Sequence, residues 1–196
     1  MKKISKSLYF GIIYGGMGGG FIQIIFGLIF LDSYENSDIA FGYFFIFLAA
    51  ASFIASGIMT IILLYKLWDG LQVANPRSTP GKAVGLLFIP FFNWYWAFQC
   101  YWGFAVDFNN YISKKEYSIK KISQGVPMAL CICVICGIIP IINMFTWIAV
   151  LVLLIIFFNQ AIDGINSLVE IEVQNIPRDS NIQPPTTKEE DKDSTS

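Results

Sequence analysis

Four stretches of this chain contain no Asp, Glu, Lys or Arg: Leu8–Leu31, Ile39–Tyr65, Ala83–Val106 and Ile122–Ile162. Each is long enough to cross a hydrocarbon core of about 30 Å, which takes roughly 18–20 apolar residues. Helices buried in soluble proteins seldom run so far without a charge on some face. Only 14% of the residues are charged and 55% are hydrophobic, with a mean hydropathy of +0.58; soluble domains carry about 25% charged residues. The fold class expected is therefore an all-α, integral membrane helical bundle whose first partner is the lipid bilayer.

Charge between the stretches predicts the topology. Lys2, Lys3 and Lys6 precede the first stretch. They resemble the basic start of a signal peptide, but the apolar run behind them is too long and ends in no small-residue cleavage site. Residues 8–31 are thus predicted to be a first span. Asp32, Glu35 and Asp38 follow without a basic residue; after the second span, 39–65, come Lys66, Arg77 and Lys82. Basic loops stay in the cytoplasm, so the N-terminus and residues 66–82 are expected inside and the acidic turn outside.

The third stretch is followed by Lys114, Lys115, Lys120 and Lys121. A crossing would put these four outside, whereas a segment that enters and leaves on one side keeps them inside. Ile89-Pro-Phe-Phe-Asn93 offers the break: Pro90 removes a backbone donor and disfavours helix before it, and Asn93 is a good N-cap for a new helix. Residues 83–112 are therefore expected to form a broken re-entrant or interfacial aromatic helix, a plain kinked third span being the other reading. Within it Gln99, Gly103, Asp107 and Asn110 lie on one helical stripe. Trp94, Phe98, Tyr101, Trp102 and Phe108 lie opposite, and Trp and Tyr favour the membrane boundary.

As one helix the fourth stretch would be roughly 60 Å long at 1.5 Å per residue. Ile139-Pro-Ile-Ile-Asn143 divides it into two predicted spans, 124–139 and 144–163. The whole prediction is four transmembrane helices plus the broken helix in a membrane domain, 1–169, then a disordered acidic tail, 170–196. The tail contains Pro177, Pro184, Pro185 and a charged run that cannot build a core. Both termini are expected on the cytoplasmic side. The helix-break residues Pro90 and Asn93 recur as Pro140 and Asn143; an internal repeat and coincidence both stay open.

The segment Thr79-Pro-Gly-Lys-Ala-Val-Gly-Leu-Leu-Phe-Ile-Pro-Phe-Phe-Asn-Trp-Tyr-Trp-Ala-Phe98 resembles a signature of small bacterial multi-pass membrane proteins grouped as a domain of unknown function. The resemblance covers residues 60–165. It implies the bacterial cytoplasmic membrane and a second apolar stretch interrupted at an Ile-Pro, and it implies no activity.

Chemistry-bearing groups are sparse. There is no histidine, which removes imidazole catalysis and His-containing metal sites. Cys131, Cys133 and Cys136 look like a metal motif, but at 100° per residue Cys131 points away from the other two; small packing residues are the better reading, and no metal or cofactor is expected. A net charge of −1 gives no reason to expect nucleic acid. Gly11, Gly15 and Gly19, with Gly16 and Gly20, form a doubled small-xxx-small pattern for close helix packing. Gly15 lies at its centre and Gly27 off it. No Lys-Ser or Lys-Thr follows, so a phosphate loop is excluded. Asp69, Asp107 and Asp163 are candidates for the mouth of a pathway at the inner surface, with Asp69-Gly70 and Asp163-Gly164 otherwise reading as helix ends. The expected function is non-enzymatic, through assembly with itself as a homo-oligomer or with a partner membrane protein. A channel or facilitator lined by the broken Ile-Pro helices is one alternative, and an intramembrane enzyme using the three aspartates is another.

Overall fold

A computed structural model describes residues 3–32, 36–137 and 139–175, and every secondary-structure element among them is helical. The order is α1 (Lys6–Leu31), α2 (Asn36–Gly70), α3 (Pro80–Gly85), α4 (Phe92–Ala97), α5 (Gly103–Lys114), α6 (Gly125–Cys136) and α7 (Pro140–Asn175). A π turn, Phe98–Trp102, joins α4 to α5. Three helices, α1, α2 and α7, are long and apolar enough to cross a membrane. Helix α6 has 12 residues, about 18 Å at 1.5 Å per residue. It therefore falls short of the ~30 Å core, unlike the span expected over 124–139.

Helices α1 and α2 form an antiparallel pair whose closeness depends on missing side chains. A Cβ at Gly20 would lie 3.0 Å from the Phe53 ring, and one at Gly27 would lie 2.8 Å from Ile46 Cγ1. At Gly16 it would collide with Ser56 Oγ. Polar atoms along the seam are satisfied locally. Ser52 Oγ donates to Gln23 Oε1 at 3.1 Å, and Ser56 Oγ to the Ser52 carbonyl at 2.8 Å. A Cβ added at Gly11, Gly15 or Gly19 would meet nothing within 4 Å beyond its own helix. The doubled motif is therefore split. Gly16 and Gly20 hold α2, whereas Gly11, Gly15 and Gly19 lie on an open face. Gly27, expected to lie outside the packing, is part of it.

The buried core sits at the end of the molecule that carries Lys3, Lys6 and Lys66. Leu67, Trp68, Phe104, Phe108, Phe157 and Phe158 are fully buried there. Toward the other end the α1–α2 pair separates from α7, leaving an apolar cleft of about 720 Å³ lined by Phe21, Phe53, Trp147, Ile148 and Leu151. The outward faces of α1, α2 and α7 carry large apolar side chains: Ile29, Phe47, Ile54 and Ile148 are all more than 60% exposed. Water would penalise such surfaces, and a bilayer does not.

Helix α7 runs through Asp163-Gly164 to Asn175. Gly164 therefore does not end a helix as its sequence context suggested. It makes room for the Phe108 ring, which a Cβ there would approach to 2.8 Å. Glu170 to Asn175, expected in the acidic tail, are helical as well. Leu168 and Val169 are buried beside them, Glu170 pairs with Lys3, and Glu172 accepts hydrogen bonds from Tyr111 and Tyr117. Asn175 is the last described residue of the helix. Residues 176–196, and with them the rest of the expected tail, lie outside the described residues. So do the side chains of Pro140 and Asn143, although Pro140 opens α7, a position where its missing N–H has no helical partner to lose.

Candidate functional site: an arginine-latched helical hairpin

The connection from α2 is shaped by its own polar atoms. Gln72 Nε2 donates to the carbonyls of Trp68 and Ser78, at 2.9 and 3.2 Å. Asn75 takes a left-handed conformation (φ 49°, ψ 60°), which Asn tolerates better than other side chains. Thr79 then caps α3 by accepting from the Lys82 N–H, with Pro80 at the first helical turn. The short arm α3 buries Ala83 and Val84 and ends in a 3₁₀ turn over Leu86–Phe88.

The reversal occurs at Pro90. Phe91 has φ 63° and ψ −40°, and the Phe92 N–H donates to the Pro90 carbonyl at 2.7 Å. This is a γ-turn of the rare, strained positive-φ kind. The next N–H, that of Asn93, reaches the Ile89 carbonyl at 3.0 Å. Backbone carbonyls thus serve the first donors of α4, and the expected Asn93 cap does not form: the helix starts at Phe92 without a side-chain cap. Asn93 lies inside the first turn, its Oδ1 buried with no hydrogen-bond partner among the described residues. At the tip Phe88, Ile89 and Phe91 are 67, 45 and 80% exposed.

Two contacts tie the long arm back. Trp96 Nε1 donates to the Ala83 carbonyl at 3.0 Å, and Trp68 Nε1 of α2 to the Cys100 carbonyl at 3.2 Å. Cys100 lies in the π turn, where the wider ladder loosens carbonyls for other donors.

The third contact is the latch. Arg77 Nε lies 3.0 Å from both Asp107 oxygens and Nη2 lies 2.7 Å from Oδ1; the Arg77 backbone N–H adds a 3.0 Å bond to Oδ2. Nη1 donates to Gln99 Oε1 at 3.1 Å, and Gln99 Nε2 to the Tyr95 hydroxyl at 3.2 Å. The guanidinium lies over Gly103, where a Cβ would be 3.2 Å from Nη1. The polar stripe Gln99–Gly103–Asp107 is therefore a seat for one arginine. Such a planar, charge-assisted pair is geometrically demanding and is stronger than a neutral hydrogen bond. Because residues 77 and 107 meet, the chain between them leaves and returns to one place.

Beyond the latch, Asn109 is buried and clamps the returning chain. Its Nδ2 donates to the Ile122 carbonyl at 2.7 Å, and its Oδ1 accepts from the Ile122 N–H at 2.9 Å. The Ser123 N–H then reaches Gln160 Oε1 at 2.8 Å.

The three candidate aspartates are not gathered into one site. Asp107 belongs to Arg77. Asp163 is exposed and pairs with Lys6 at 2.7 Å. Asp69 is exposed and has no ion pair among the described residues. No acid–base couple results, and the described residues hold no cluster that could take a metal ion. Cys100 and Cys131 are buried free thiols. Arg77, Asn109 and Asn166 carry the architecture, yet sequence reading missed them as site residues. Only Arg77 had a signal, as a cation near a polar helical stripe that carries one carboxylate, Asp107. No protein family, curated protein or solved structure matches the chain.

Proposed function

We propose that this chain is a non-enzymatic, multi-pass protein of the bacterial cytoplasmic membrane that acts by assembly, with a second copy or with another membrane protein. In this reading α1, α2 and α7 span, α6 completes a fourth crossing with local thinning of the bilayer, and both termini lie in the cytoplasm. The latched hairpin re-enters from the cytoplasmic side. The Arg77–Asp107 pair supports re-entry, since a crossing would separate its ends by about 30 Å. The exposed apolar tip supports insertion into lipid, and the four lysines after α5 then stay inside.

The observation that carries assembly is the division of glycines on α1. Gly16, Gly20 and Gly27 are used by α2, while Gly11, Gly15 and Gly19 present an unoccupied face of bare backbone. In lipid such a face gains energy by close packing with another helix, not by hydrophobic burial. A channel along the broken helices would need a polar path. The aromatic rings of Trp68, Phe104, Phe108 and Phe157 fill the space between the long arm, α2 and α7. The test is mass in mild detergent, with cross-linking in native membranes. The parent should assemble beyond the monomer and Gly15→Leu, with Gly19→Leu, should not, while helix content is unchanged. Equal masses for parent and variants would reject this face as the assembly surface.

A further inference from the structure

A hollow of about 300 Å³ lies beside the latch, where the turn after α2 meets the end of α5. Its lining includes Asn75, Arg77, Asp107, Asn110, Lys114 and Lys115, with Tyr111, whose hydroxyl is turned to Glu172. We propose that this hollow binds one phosphate-bearing anion, carried by an anionic lipid headgroup or by a free phosphate ester.

The lining is rich in donors and poor in free acceptors. Both oxygens of Asp107 are taken by Arg77, so its charge is spent within the latch. Arg77 commits three guanidinium N–H groups, one each from Nε, Nη1 and Nη2, out of the five it carries. It is held rigid by Asp107, Gln99 and the bare backbone of Gly103, so an anion meets a pre-oriented group and orders little on binding. Asn75 and Asn110 add amides, which can donate. Asn75 sits at the left-handed turn, which points the chain around the hollow without adding charge.

Charge decides between an anion and a cation. The carbonyl end of α5 contributes about −0.5 of a charge, and Asp107 contributes one negative charge against the three positive charges of Arg77, Lys114 and Lys115. The balance is positive by more than one unit. Glu172 of α7, which contacts the lining residue Tyr111, accepts from Tyr111 and Tyr117. Glu116 is exposed, at a left-handed turn just past Lys115. The bland reading is that lysines near a bilayer attract anionic lipid diffusely. Diffuse attraction would not distinguish these lysines from Lys120 and Lys121, and it would not depend on the uncharged Asn110.

The test uses the full chain in neutral detergent, with bound adducts counted by native mass spectrometry. The probes are short-chain phosphatidylglycerol, phosphatidylcholine, glycerol phosphate and inorganic phosphate. Lys114→Gln with Lys115→Gln should weaken the preferred probe about 25-fold, at about fivefold per lysine, and Asn110→Ala about fivefold. All three positions are exposed, and unchanged helix content confirms folding. Preference for phosphatidylglycerol over both phosphatidylcholine and glycerol phosphate assigns the site to a headgroup. Retention of glycerol phosphate or inorganic phosphate assigns it to a soluble ester. Either supports the proposal. It is overturned if no probe is retained, if Lys120→Gln with Lys121→Gln weakens binding as much, or if Asn110→Ala has no effect.

Discussion

Gly27 and Gly42 meet face to face across the α1–α2 pair: a Cβ on the first would lie 3.1 Å from the carbonyl oxygen of the second, and a Cβ on the second 3.0 Å from that of the first. Neither backbone can move aside without parting the helices. Gly27→Leu should therefore lower stability by about 1–3 kcal/mol, the usual cost of overpacking, read as a lower thermal midpoint in detergent. Gly15→Leu, on the open face, should leave the midpoint of the monomer unchanged. The reverse order of the two variants would disprove this arrangement.

The latch should be specific to arginine. Lysine in place of Arg77 supplies charge but not a fork, and it cannot reach Gln99 and both Asp107 oxygens together. A double-mutant cycle between Arg77→Ala and Asp107→Ala should give a coupling of about 1–2 kcal/mol, below the full range for charge-assisted bonds because the pair is partly solvated. A cysteine at Ser118, in a background free of the native cysteines, should stay protected from an impermeant reagent applied outside intact cells. Outside labelling of the otherwise unaltered protein would show that the hairpin crosses instead of returning.

Asn109 offers a cleaner stability measurement because it is buried. Asn109→Leu leaves both the N–H and the carbonyl of Ile122 without this partner, at about 1–3 kcal/mol each, so a loss of about 2–6 kcal/mol is expected. Asn109→Asp should fare little better, since a carboxylate accepts from the Ile122 N–H but cannot donate to its carbonyl. Amide exchange at Ile122 should accelerate in both variants. Protection equal to the parent would mean the clamp does not hold this segment.

At the hairpin tip, Phe91→Gly should raise the thermal midpoint. Glycine adopts positive φ without steric cost, so about 1 kcal/mol of backbone strain is relieved. The ring is 80% exposed, and the contact it gives up is an edge-on approach to Trp94 with centroids 6.0 Å apart. A lower midpoint would indicate that the ring itself anchors the tip.

The helical class and the positions of α1, α2 and α7 were legible because uncharged length is a strong signal. A break at Pro90 could be expected from the proline, but its chemistry could not. Proline announces a break, whereas the carbonyls that serve the new helix start belong to Ile89 and Pro90 and carry no side-chain signature. The glycines on α1 could be recognised as packing residues. Which of them face α2 depends on the rotation of one helix against another, which four-residue spacing leaves undetermined, and so Gly27 was misplaced. Gly164 misled for a related reason: beside Asp163 it looks like a terminator, and only the ring of Phe108, far away in sequence, reveals it as a gap left for a partner. Arg77 served in sequence only as a topological charge, although the stripe that receives it was visible as Gln99, Gly103 and Asp107.

The amide of Asn166 bonds both the N–H and the carbonyl of Ile4, at 2.7 and 2.9 Å, across 162 residues of chain, and Lys3 reaches Glu170 nearby. During synthesis, α1 and α2 are made long before these partners exist. The earliest helix thus waits, with its leading backbone unsealed, until the last has been made. Synthesis of residue 166 is a condition for sealing the start of α1, and the tie joins the first and last long helices of the described bundle.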